Sequence, residues 1–61
     1  MMDIDQIYVG ALLRIHDTRG DMYALVLDVD DDFENPPLFH LLIGDKTNWE
    51  YLRGVDWEII S

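Results

Sequence analysis

The densest set of chemically capable side chains is the acidic run Asp28, Asp30, Asp31, Asp32 and Glu34. Asp at the first, third and fifth places is how a calcium loop of the EF-hand kind begins. The rest of that pattern is missing. The sixth place holds Phe33, where a glycine must make the sharp turn, and the twelfth holds Phe39, where a bidentate Glu is needed. The run therefore reads as a solvated loop whose charges repel one another, with no cation cofactor. His16 and His40 are the two histidines. Both fall on outward strand positions and could meet on one face, but no third ligand is spaced to complete a metal site. Covalent chemistry is equally poorly served, since there is no cysteine and the one serine is Ser61. Carboxylates in an open loop lack the burial that would set their pKa values apart for acid and base roles. No catalytic residue, metal ligand or cofactor is expected, and the chain is not read as an enzyme.

Two aromatic residues stand apart from the core set. Phe33 lies within the acidic run, and Tyr51 falls at an outward or rim position. Such residues either fold back over the end of a domain or anchor a contact with a partner. Together with Asp28, Asp30, Asp31, Asp32 and Glu34 they form the candidate partner-binding set. Arg19-Gly20-Asp21 matches an adhesion tripeptide, but its place between two strands makes it a turn.

The elements that would position these residues are strands. The alternation of Leu13 and Ile15 with Arg14 and His16 marks a half-buried strand over 11–16. Asp17 to Asp21 supplies turn residues, and a second strand runs from Met22 to about Asp30 with Leu25, Leu27 and Val29 expected inward. Asp31 to Pro37 is a loop, because its two prolines remove ladder donors. Leu38 to Ile43 is the third strand, and Gly44, Asp45 and Lys46 turn into a fourth over Asn48 to Leu52 or Arg53. Gly54, Val55 and Asp56 suggest one helical turn before a last strand, Trp57 to Ile60. Ile4 or Ile7 is expected to reach the core ahead of a turn at Gly10. The expected core is Leu13, Ile15, Leu25, Leu27, Val29, Phe39, Leu41, Trp49, Trp57 and Ile59, which leaves Ala24, Val26, Leu38 and Leu42 on the opposite face.

Composition bounds the rest. The 61 residues make a single domain (1–61), and a chain this short buries only about 60% of the surface that its unfolded form exposes. Hydrophobic residues make up 49% of it, with two Trp, three Tyr and two Phe, enough to exclude a disordered acidic tail. Thirteen acidic residues against four basic ones give a net charge of -9, a field that opposes nucleic-acid phosphates. No apolar run reaches the roughly 18 residues of a membrane span, and MMDIDQ lacks the order of a signal peptide. The expectation is a soluble cytoplasmic protein whose partner is a basic protein or a second copy of itself, with neither nucleic acid nor membrane.

The order VGALLRIHD, turn, MYALVLDVDDD, loop, PLFHLLIGD, hairpin, WEYLRGVDWEIIS resembles the SH3-like small barrels of the KOW and Tudor type. More narrowly it is similar to short SH3-like proteins of bacteriophage genomes, over nearly the whole chain from Tyr8 to Ser61. The resemblance implies a five-stranded, strongly bent antiparallel barrel. It also implies a phage accessory or virion-associated protein in the host cytoplasm or the virion. The signature of signalling SH3 domains and the basic residues of nucleic-acid-binding KOW domains are absent. That leaves three expectations: an acidic protein-interaction module, a nucleic-acid mimic that blocks a basic host protein, or a structural homo-oligomer. Clustering of the acids at Asp28 to Glu34 favours the module.

Overall fold

The computed structural model describes residues 4–32 and 35–61. It is all-β: β1 (Leu12–Asp17), β2 (Gly20–Asp30), β3 (Leu38–Ile43), β4 (Lys46–Tyr51) and β5 (Trp57–Ile59) form one antiparallel sheet in the order β4-β3-β2-β1-β5. Strands β4 and β5 are its two edges, so the sheet is not closed. Its smallest dimension is nonetheless 20 Å. A flat single sheet would be far thinner, given that two stacked sheets lie only about 10 Å apart. The sheet is therefore curled around its own apolar face.

Short connections follow from residue chemistry. Asp17 pairs with Gly20 across a two-residue turn, and the Asp17 carboxylate accepts the Thr18 N–H at 2.7 Å. Between Ile43 and Lys46 the turn places Gly44 first with φ 66°, the positive value that a II′ hairpin turn needs at that position. The helical turn expected at residues 54–56 is not formed. The Val55 N–H instead donates to the Leu52 carbonyl at 3.1 Å, with Gly54 at φ 80°, which is a β-turn. The short helical element lies at the other end of the described chain, a 3-10 turn over Ile4–Gln6.

Register decides which residues enter the core. Leu13 lies opposite Ala24 and Ile59, and Ile15 opposite Met22 and Trp57, so these side chains share the inner face. Val26 pairs with Leu41 and continues it, and then a bulge between Val26 and Asp28 inserts Leu27 as an extra residue. Beyond it Val29 pairs with Phe39 and returns to the core side. The buried set is Ile7, Ala11, Leu13, Ile15, Ala24, Val26, Phe39, Leu41, Leu52 and Trp57. Ile4 packs against it together with Ile7, so both early isoleucines serve the core.

Three expectations are corrected. Leu25 lies on the outer phase of β2 and is only half-buried, while Leu27, the bulge residue, is exposed. Ala24 and Val26, assigned to the opposite face, are fully buried instead. Their small side chains fit because Leu13, Phe39 and Leu41 already fill the narrow interior. Trp49, expected in the core, is 46% exposed. Its strand is exposed along its whole length, as an edge with one sheet neighbour allows. Strand limits moved little: β1 begins one residue later than read, β4 starts at Lys46, and β3 stands as expected.

Candidate functional site

The outer face of the sheet can be assembled from its pairings. Across β4, β3 and β2, Tyr51 stands by Leu38 and Asp30, and Trp49 by His40 and Asp28. Next come Thr47, Leu42 and Leu25, with Leu12 beyond them on β1. The indole of Trp49 stacks on the imidazole of His40 with centroids 4.6 Å apart and planes at 8°. That contact covers one face of the indole and leaves Trp49 46% exposed. Tyr51, two residues along β4, is 51% exposed.

Of the candidates named from sequence, Tyr51, Asp28 and Asp30 are thus brought onto one face. Asp31 and Asp32 follow β2 directly and are exposed. The Asp28 carboxylate accepts the Val29 N–H at 2.8 Å, and Asp32 accepts from the Asn35 amide at 3.2 Å. Phe33 and Glu34 lie outside the described residues. Sequence reasoning placed His40 outward but missed Trp49 and the stack between the two. A signal was present, since Trp49 and Tyr51 are two apart on one strand and must share a face if Tyr51 points outward.

The far end of the same face carries a different chemistry. Arg14 binds the Glu58 carboxylate and is paired across the strands with Tyr23, and both neighbours hold its guanidinium pKa above the ordinary value, Glu58 most. His16 Nδ1 meets Asp21 Oδ1 at 2.8 Å, and Nε2 lies 3.6 Å from Glu58 Oε1. The Asp21 hydrogen bond, helped by the charges of Asp21, Asp56 and Glu58, raises the His16 pKa against a smaller desolvation effect. His16 and His40 do share a face, but they stand opposite Asp21 and Asp28, at opposite ends of β2. Among the described residues no three His, Cys, Asp or Glu side chains form a set that could hold a metal ion. No helix among them is long and apolar enough to cross a membrane.

The arrangement sets exposed Trp49 and Tyr51 on one face with the half-buried row Leu42, Leu25 and Leu12 beside them and carboxylates along one border. Comparison with family models, with curated proteins and with solved structures finds no match to this chain.

Proposed function

We propose that the chain is a small acidic protein-interaction module without catalytic activity, built as an SH3-like barrel, and that it binds a basic protein through the outer face of β3 and β4. The observation that carries this reading is the exposed pair Trp49 and Tyr51 set in register with Asp28 and Asp30 across β3. Exposed Trp and Tyr are the residue types that anchor interfaces, and bordering carboxylates select a partner of opposite charge and speed its approach. Asp31 and Asp32 extend that border. Phe33 and Glu34 continue it in sequence. The strand order, the bulged β2 shared along its length and the curled sheet support the barrel reading. A phage accessory or virion protein working in a host cytoplasm is the setting suggested by the resemblance of the sequence.

The two alternatives have less support. A nucleic-acid mimic needs carboxylates in a phosphate-like row. On this face Asp28 and Asp30 are separated from Asp21 and Glu58 by the aliphatic row Leu42, Leu25 and Leu12, and Glu58 is already bound by Arg14. Contact between copies would have to use Leu38 and Leu42, because Ala24 and Val26 are consumed by the core, and each copy brings a charge of -9.

Affinity capture from a host lysate tests the proposal, with the wild-type chain and Trp49→Ala compared at two salt concentrations. A basic protein should be retained by the wild type, released as salt rises, and lost with Trp49→Ala. Retention that ignores both the substitution and the salt would contradict it, as would light scattering that shows Trp49 occupied by a second copy.

A further inference from the structure

A recess lies where the curled sheet is open between the β1–β2 hairpin and the turn that leads into β5. Its volume is about 260 Å³, Met22, Ile43, Leu52 and Val55 provide apolar walls, and Tyr51 also lines it. Asp17 and Glu50 also line it, both exposed, with one Asp17 oxygen accepting from Thr18 and His16 engaged by Asp21. Met22 and Ile43 are half-buried, Val55 is exposed, and Leu52 is buried at the back. Glu50 reaches this side because it pairs with Phe39, on the inner phase of β4, opposite in direction to Trp49 and Tyr51.

We infer that this recess receives one lysine or arginine side chain of a basic peptide segment. Small-molecule and cofactor pockets run from about 300 to 1,000 Å³, so this one has room for a side chain rather than for a nucleotide. Its chemistry suits a long cationic side chain: apolar walls for the methylene stem and the carboxylates of Asp17 and Glu50 for the charged head. A wholly apolar occupant would desolvate Asp17 and Glu50 without return, and an anion would meet both of them and the net charge. The inference rests on the reading of the partner as basic. What it adds is a point of entry for one of the partner's cations, bordering Tyr51 and on the opposite side of β4 from Trp49.

Amide chemical shifts of the ¹⁵N-labelled full chain provide the test, using a capped glycine pentapeptide with a single central lysine and its counterpart with norleucine, which keeps the stem and lacks the charge. The lysine peptide should shift the amides of Met22, Ile43 and Val55 saturably. Norleucine, or the chain variant Glu50→Gln, should weaken binding by about threefold to fivefold, the size of one exposed ion pair. Equal binding of norleucine, indifference to Glu50→Gln, or no saturable shift at these amides would overturn the inference. Shifts confined to Trp49 and His40 would overturn it while leaving the outer-face reading intact. Conversely, recess shifts together with a Trp49→Ala chain that still captures its protein partner would overturn the outer-face reading alone.

Discussion

Two tryptophans divide the molecule into its inner and outer faces. Trp57, on β5, lies opposite Ile15 and is 9% exposed, whereas Trp49, on β4, lies opposite His40 and is 46% exposed. The same side chain therefore serves cohesion in one place and display in the other. What separates them is strand phase, not residue type. A second contrast lies within the outer face itself: at one end Arg14 and His16 engage Glu58 and Asp21, while at the other the acidic run borders exposed aromatics. One end of the face ties strands β1, β2 and β5 together. The other holds its charge on exposed positions.

The largest expected effect separates the tryptophans. Trp57→Ala should cost about 3 to 5 kcal/mol, the range for removing a large aromatic from a core, and in a domain this small that approaches the whole stability. Trp49→Ala should cost about 1 kcal/mol or less, because it loses one cross-strand stack on an exposed edge. Urea unfolding of the two variants measures both, and comparable losses would erase the distinction between the faces. Next in size is the phase of β2. Ala24→Leu should destabilise by about 1 to 3 kcal/mol through overpacking against Leu13, and a neutral result in the same assay would mean that Ala24 faces outward.

Smaller effects sharpen the contrast within the outer face. Because the His16 pKa is raised in the folded chain, protonated His16 stabilises the fold. That contribution is fully present below the unfolded histidine pKa of about 6.5 and is lost as pH rises through the raised value. Thermal melts should therefore show a small decline above that pH, absent in His16→Gln, and a decline of the same size in the variant would remove His16 as its source. The acidic end should respond to salt. Screening over about 8 to 10 Å at moderate ionic strength relieves repulsion among the carboxylates. The melting temperature should rise between very low and moderate salt, and a fall would show that the ion pairs around Arg14 outweigh that repulsion.

Much of this architecture is legible in the residues, and the exceptions have physical causes. The limits of β3 follow from the prolines before it and Gly44 after it, and the inner phases of β1, β3 and β5 follow from alternation. The phase of β2 does not. Its apolar residues occupy both faces, so size alone pointed to Leu25 and Leu27, and the bulge that breaks the period leaves no composition mark of its own. Trp49 was misplaced by the same preference for large fillers. The core is completed by Ile7, as expected ahead of Gly10, and by Ala11 and Leu52, which fall just outside the strands they were read into. The acidic border of the candidate surface was visible, as was Tyr51. The aromatic shelf needed the pairing of β4 with β3, which places Trp49 on His40.

The claim that Trp49 is displayed for a partner is tested most directly by acrylamide quenching of its fluorescence in a Trp57→Phe chain, free and bound to the captured basic protein. Trp49 should be readily quenched in the free chain and shielded in the complex. Equal quenching in both states would contradict the account, because the aromatic shelf would then lie outside the interface.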